Sequence, residues 1–424
     1  MDINLSTDDI IFDFKNIVKL SNNDKLTKPD KTIPITYDCK SVLNTLDYIF
    51  HNIKVGIYQE VKNGKFIHNY QRINNLNYKN EWHQFIKLKD KYKSIKDFDK
   101  QRADEFSSRT RKIFKNMEDW FAINCIIFYE DNFLRKQVGG YLITKKMFES
   151  LVKKKKIKNA KFCVNQLDHP ILKKKYTQPF EHLFGSTNHH LTKNYHSSYI
   201  PIFSYSTSDD YMDIAMPTSE CINSIKLNVK ITPWESRINT AIFRGSSTGC
   251  GSTIKTNLRL KACSYSHKWS KNKKTNNLLD AGITRIINRA KKYKDNPITF
   301  VKPKKYKYLI KPFMDMNTQA NYKYYLNIEG NGTAYRLAVL LKYGFVILDV
   351  ETQFYLWFYP LLKPYVNYIP VKRNLKDLKK KIKFCQDNDD LCKKISENNI
   401  KFYKEIINKK FMFNYLNNMI NKYC

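Results

Sequence analysis

An α/β fold in two domains is what this sequence predicts, and three observations lead there. The chain has 424 residues, enough for two cores of ordinary size. From about residue 120 onward, apolar runs of strand length alternate with stretches of helical pattern, as in parallel sheets covered by helices. Twice in the second half, a loop of small residues joins the end of a strand to the start of a helix.

Taken in order, residues 1–45 are polar, carry Pro29 and Pro34, and read as an N-terminal tail. An N-terminal α/β domain is expected over 46–230, beginning with an accessory segment at 46–115 that mixes aromatic residues with Lys and Asn. DWFAINCIIFYE (119–130) contains a continuous apolar run, a buried strand or short helix. GGYLITKKMFESLVKKKK (139–156) reads as a turn and a helix. AKFCVNQLD (160–168) reads as a buried strand ending in an acid, and IPIFSYS (200–206) as another strand. Asp209 and Asp210 read as a loop or cap before a helical YMDI. Pro217 and Pro233 bracket a linker, with the domain change nearby.

A second, Rossmann-like domain is expected over 231–384. NTAIFRG (239–245) is its first strand, SSTGCGST a loop, and TNLRLKACSYSHKW the start of a helix. YKYYLNIEG (322–330) is a strand, NGT a tight turn, and AYRLAVLLKYG a helix that Gly344 ends. FVILDV (345–350) is a further buried strand. The tail of the chain is Lys-rich and amphipathic, giving C-terminal helices at 385–424. No repeat of fixed period is present.

Composition narrows the classes. With 42% hydrophobic and 14% aromatic residues the chain folds rather than staying disordered. The net charge of +36 raises attraction to polyanions. That charge comes from 63 lysines against twelve arginines, in a chain also rich in Asn, Ile and Tyr. These are residues of AT-rich codons, so genome bias accounts for much of it and no specific nucleic acid is expected. The Lys runs at 153–156, 302–307 and 378–381 read as solvated faces. Nine scattered cysteines without CxxC or zinc spacing fit a reducing compartment. The acidic N-terminus is not a secretory signal, and no apolar run is long enough to span a membrane, so a cytoplasmic location is expected, the host cytoplasm if the source is a virus.

The chemistry sits in the two loops. In FRGSSTGCG (243–251), Arg244 lies at the strand end, Gly245 allows a tight turn, and Ser246, Ser247 and Thr248 offer hydroxyls. In EGNGTAYRL (329–337), Gly330 and Gly332 flank a turn and Arg336 falls in the first helical turn, where its guanidinium can meet a diphosphate in bidentate fashion. Free backbone amides and the positive end of a helix dipole suit a phosphate at both places. Neither loop fits the Gly-Lys-Ser/Thr pattern of a P-loop.

With these segments in hand, the sequence resembles glycosyltransferase family 90, the group of capsule-associated, lipopolysaccharide-modifying and protein O-glucosyltransferase-like enzymes. The resemblance runs in order through VNQLDHP (164–170), PIFSYSTSDDYMDI and on to Met216-Pro217 (201–217), Trp234 and Arg237 leading into AIFRGSSTGCG (234–251), NIEGNGTAYRL (327–337) and WFYPLLKPYVNYIPVKRNLKDL (357–378). It implies a GT-B architecture, two Rossmann-like domains facing a central cleft with C-terminal helices behind. The 46–230 domain then lies on the acceptor side and the 231–384 domain binds the nucleotide sugar. It implies an inverting transfer of glucose or xylose from a UDP-sugar to a hydroxyl of a glycan or protein, without a cofactor or metal. Asp168 matches the family's catalytic base. Asn331, Gly332, Thr333, Ala334, Tyr335 and Arg336 match its donor diphosphate loop, and Ser246 another donor contact. Where animal members carry an Arg after FRGS, this chain has Ser247, and Lys255 stands as the substitute. The composition and the form of FRGSSTGCG point to a viral or microbial member.

The physics of such a transfer agrees with those residues. An acceptor hydroxyl needs a base, and a strand-end carboxylate before Pro170 can serve. The leaving diphosphate needs cations and amides, which Arg336 and a helix N-terminus supply. Asp349-Val-Glu351 resembles a metal-binding DxD, but its position after a buried strand reads as a satisfied strand-end acid. Two other readings stay open from the sequence: a non-enzymatic polyanion-binding protein, and an inactive sugar-nucleotide-binding relic.

Overall fold

The computed structural model describes residues 45, 57–71, 142–154, 157, 159–165, 167–174, 199–287 and 301–424. The apolar run at 119–130 and the tail at 1–45, apart from Thr45, lie outside these residues. Two five-stranded sheets organise the rest.

The first sheet is mixed, in the order β2-β1-β3-β4-β5. Its strands are β1 (Ile57–Lys62), β2 (Lys65–Gln71), β3 (Ala160–Val164), β4 (Ile202–Ser204) and β5 (Ile214–Ala215). β1 and β2 form an antiparallel hairpin closed by Asn63 and Gly64, both at positive φ (51° and 70°). Such a two-residue turn matches the twist of paired strands, and Asn-Gly is its favoured sequence. β3, β4 and β5 run parallel. Helix α1 (Leu142–Lys153) covers the sheet, packing Phe148 against Phe162 and Phe203 with ring centroids 5.1 and 6.0 Å apart.

The YMDI stretch corrects the helix expected there. Residues 209–210 form a turn, Tyr211 makes a strand bridge to Lys173, and the chain enters β5. Tyr211, Asp213, Ile214, Ala215 and Met216 are all buried, whereas a surface amphipathic helix would have turned one face of its 3.6-residue period to solvent. The segment between Pro217 and Pro233 is also more than a linker, because it holds α2 (Ser219–Lys226), N-capped by Thr218.

The second sheet is wholly parallel, in the order β10-β9-β8-β6-β7. Its strands are β6 (Ile238–Ser246), β7 (Leu279–Arg285), β8 (Tyr322–Asn327), β9 (Val346–Val350) and β10 (Tyr368–Val371). Helices α3 (Leu258–Trp269), α4 (Met316–Gln319), α5 (Leu337–Tyr343), α6 (Leu378–Asp387) and α7 (Asp389–Ile406) connect or cover them. Alternate residues of β8 and β9 enter different cores. Tyr324, Leu326, Val346 and Leu348 pack with α3 and α6, while Tyr325 and Ile347 pack with α5 and α7. Both faces are therefore dry, the condition of a doubly wound sheet.

The strand order reverses between β6 and β8, one winding outward to β7 and the other to β9 and β10. In such sheets ligands bind outside the carboxyl ends of the strands at this point. The last helix, α8 (Lys409–Tyr423), leaves the second sheet and packs on the first. Its Tyr415 hydroxyl donates to the Ala215 carbonyl at 2.7 Å, and its ring lies 4.9 Å from that of Trp357.

Candidate active site

At the carboxyl ends of β6 and β8 the two small-residue loops meet. After β6, the loop at 247–257 turns through Gly249 and Gly251, at φ of 100° and 75°. An added Cβ at Gly249 would come 3.2 Å from the Gly330 carbonyl, and one at Gly251 would come 2.5 Å from the Thr256 hydroxyl. The loop needs glycine at both, for handedness and for space. Asn257 caps α3 by accepting from the Leu260 amide at 3.0 Å, while its amide donates to the Gly251 carbonyl at 3.1 Å. After β8, the loop at 328–336 closes on itself, the Gly330 amide donating to the Gly332 carbonyl at 3.1 Å. Asn331 joins the two loops by accepting from the Gly249 amide at 3.2 Å.

Arg259, on the first turn of α3, ties both loops together. Its guanidinium donates to Thr248 Oγ1 (2.6 Å) and to the carbonyls of Ser246 (3.1 Å), Ile328 (2.9 Å) and Glu329 (2.9 Å). Burial, and then the neighbouring Arg336 charge, bring its pKa down to about 10, so it stays a cation at neutral pH. Arg336 donates to the Arg244 carbonyl at 2.6 Å and to the Tyr325 hydroxyl. Among the described residues neither guanidinium has an ion pair with a carboxylate. Two adjacent cations held by neutral oxygens leave net positive charge where the loops converge, which an anion can answer.

Beside this point opens a cavity of about 390 Å³. Thr248, Lys255 and Arg259 line it from one side, Glu329 and Arg373 from the other. Glu329 is paired with Arg373 and accepts from the Thr352 hydroxyl.

The Asp168 turn reaches over from the first sheet. The Asp168 carbonyl accepts from the Tyr335 hydroxyl, and from the Ser206 hydroxyl at 3.3 Å. Gly332 lies so close that an added Cβ would stand 2.5 Å from that carbonyl. Burial first, and then the Asp168 charge, push the Tyr335 phenol well above its usual range, so it stays a donor. A buried polar frame holds the turn from below. Asn165 Oδ1 accepts from the Leu167 amide (2.9 Å), and its Nδ2 donates to the His169 carbonyl (2.8 Å) and the Ser204 hydroxyl (2.9 Å). Asp213 accepts from the amides of Ile171 (2.9 Å) and Leu172 (2.6 Å) and from Ser204 (2.5 Å). Burial raises the Asp213 carboxyl to about 6, while those hydrogen bonds pull it back down.

The structure thus brings together Asp168, Ser246, Thr248 and residues 331–336, with Lys255 exposed at the cavity rim. Thr333 and Ala334 are buried within the second loop. Gly245 packs on the Phe243 ring, where a Cβ would come within 2.9 Å. Arg244 stands apart from the cavity. Its guanidinium turns back to Asp280, at 2.8 Å from Oδ2, in a network with Lys311 and Tyr322. Asp349 is buried, accepting from Asn327 Nδ2 (2.7 Å) and Tyr359 (2.6 Å). No group of three or more His, Cys, Asp or Glu able to hold a metal occurs among the described residues. Arg259 and Arg373 escaped the sequence reading. Arg259 had a legible signal, an Arg one helical turn after a small-residue loop; Arg373 stands within the 357–378 segment that carries the resemblance, but nothing local points it at a loop more than a hundred residues earlier.

These features match one family. The model of Glycosyl transferase family 90 covers residues 142–424, taking in most of both sheets, and the chain belongs to that family. It is 31% identical to protein 179R of Invertebrate iridescent virus 6 over 91% of its own length and 37% of that protein's. It is 29% identical to protein 035R of Invertebrate iridescent virus 3, over 89% of this chain and 36% of that one. It is 26% identical to Protein O-glucosyltransferase 3 of Homo sapiens, over 68% of this chain and 52% of that one. The chain therefore spans little more than a third of these viral relatives and about half of the human one. The viral relatives fit the viral or microbial origin expected from composition. No helix among the described residues is long and apolar enough to cross a membrane.

Proposed function

We propose that the chain is an inverting glycosyltransferase of the GT-B kind. It moves glucose or xylose from a UDP-sugar to a hydroxyl of a glycan or protein acceptor. The observation that carries this reading is the contact between the Asp168 turn and the 328–336 loop, through Tyr335 and Gly332, at the strand-order reversal of the second sheet. It sets a carboxylate-bearing turn against loops built for an anion. The human relative's name supports glucose as the sugar and an oxygen as the acceptor atom.

In this mechanism the acceptor hydroxyl gives its proton to the Asp168 carboxylate as its oxygen bonds the anomeric carbon. The bond from that carbon to the UDP oxygen breaks on the opposite face, inverting the centre. The charge left on the diphosphate is answered by the amides of both loops and by the Arg259 and Arg336 cations, so no metal is called for. A general base of this kind contributes about 10²–10⁴-fold. Asp168→Asn should lower transfer by that factor while leaving the donor-induced rise in melting temperature intact. Arg336→Ala should weaken that rise. Transfer by Asp168→Asn at the wild-type rate would falsify the base assignment. A protein that no UDP-sugar stabilises would remove the donor assignment.

A further inference from the structure

Residues 302–313 read KPKKYKYLIKPF, five lysines without an acid. They form a 3₁₀ turn at Lys304–Leu309 and then an extended stretch. Buried Tyr306 and Leu309 anchor the turn, and Ile310 bridges Ile283 on the edge strand β7. The Tyr308 ring packs 4.8 Å from His267 at the end of α3. That contact sets the turn beside a second basic run, Lys268, Lys271, Lys273 and Lys274, all exposed. Between Arg237 and Met314 the sequence has two acids, Asp280 and Asp295. Asp280 is committed to Arg244 and Lys311, and Asp295 lies outside the described residues.

From this basic edge three apolar side chains stand into solvent. Tyr308 is 49% exposed, Ile310 45% and Phe313, which follows Pro312, 80%. A solvated lysine face needs no such tip. A single-stranded nucleic acid needs a series of ring faces for successive bases, and this edge offers only Phe313, since Tyr308 packs on His267 and Ile310 has no ring. An apolar tip within a polybasic surface is the pattern that suits a charged bilayer.

We propose that this edge docks on a membrane surface rich in anionic phospholipid, with Phe313 in the headgroup–acyl boundary and the lysines on lipid phosphates. The patch uses none of the residues at 246–259 or 328–336, so it is independent of the transfer reaction proposed above.

The test is co-sedimentation of the full chain with vesicles of phosphatidylcholine alone, or with 30% phosphatidylserine (about one lipid in three, as in a strongly anionic leaflet). Wild type should pellet with the anionic vesicles only. Reversing Lys304, Lys305 and Lys307 to Glu should lower partitioning about 100-fold, and Phe313→Ala should lower it about tenfold. All these sites are exposed, so unchanged thermal unfolding checks the fold. Reversing exposed Lys379, Lys380 and Lys383 on α6 controls for net charge. Equal losses from both triple variants would reduce the effect to the overall +36 and overturn the proposal. So would wild-type partitioning by Phe313→Ala, or a wild type that ignores vesicles and instead retains DNA.

Discussion

Arg259 shows how one side chain can hold two loops. Five donors in a rigid fork serve four oxygens, on residues 246, 248, 328 and 329. A lysine has three donors on a flexible stem and cannot span them. Arg259→Lys should therefore lower stability by about 2 kcal/mol in urea unfolding and weaken donor binding as well. Asp349 offers a pH test. Burial lifts its carboxyl from 3.8 to about 6 in the folded protein. The folded state then binds a proton that the unfolded chain does not take up until near pH 4. The contribution of this group to stability is greatest below pH 4 and is lost as pH rises through 6. The loss is on the order of 3 kcal/mol, and Asp213 should add a similar one. Asp349→Asn should flatten about half of this decline when melting is followed from pH 4 to 7.

At the scale of elements, glycines mark where segments approach. Gly344 ends α5 at φ 64°, and an added Cβ would stand 2.7 Å from Ile400 Cδ1 and 2.9 Å from Ser396 Oγ on α7. Gly344→Ala should cost about 1–3 kcal/mol in chemical denaturation, because both the left-handed turn and the α5–α7 seam suffer. Gly332 and Gly330 make a paired comparison. A Cβ at 332 meets the Asp168 backbone at 2.5 Å, whereas one at 330 meets side-chain atoms of Arg259 and Thr248 at 3.3 Å. Gly332→Ala should reduce transfer by about tenfold or more, since small misplacements of reacting groups are costly. Gly330→Ala should reduce it less. Equal rates for the two would mean that the Asp168 turn does not depend on this contact.

The whole molecule is joined by its end. α8 places Met412, Leu416 and Ile420 in a core shared with Phe162 and Phe203 of the first sheet and Tyr325 and Ile347 of the second. Lys342 on α5 adds a polar tie, donating to the carbonyls of Ser224 (2.7 Å) and Leu227 (2.9 Å) at the end of α2. A chain ending at Asn408 should lose cooperative unfolding and bind a hydrophobic dye, because removing α8 uncovers apolar surface on the first sheet. Retention of a sharp wild-type transition would show that the two sheets do not depend on this helix.

Three strands of the second sheet, β6, β8 and β9, were legible because each is a short apolar run, and α5 because Gly344 stops it. Gly344, the loop after FRGS and the buried FVILDV strand all follow from local chemistry. The Asn63-Gly64 hairpin carries an equally local signal, although it lies inside the 46–115 stretch that composition marks only as an accessory segment. β7 was hidden by Gly282 in mid-strand, where the Lys311 stem fills the space of a side chain. Asp168 and residues 331–336 were found through an ordered set of motifs, and the proximity of their backbones came only with the fold. Strand order, the crossing of α8 and the partners of each guanidinium depend on contacts between residues far apart in the chain, which no local period encodes. So Arg244, which looks like a ligand beside a glycine loop, is spent on Asp280, while Arg259 holds the loops. Charge obeyed the same division: its sign and amount are written in composition, but its gathering beside Phe313 on one edge was decided by how α3 and the 302–313 segment pack on β7.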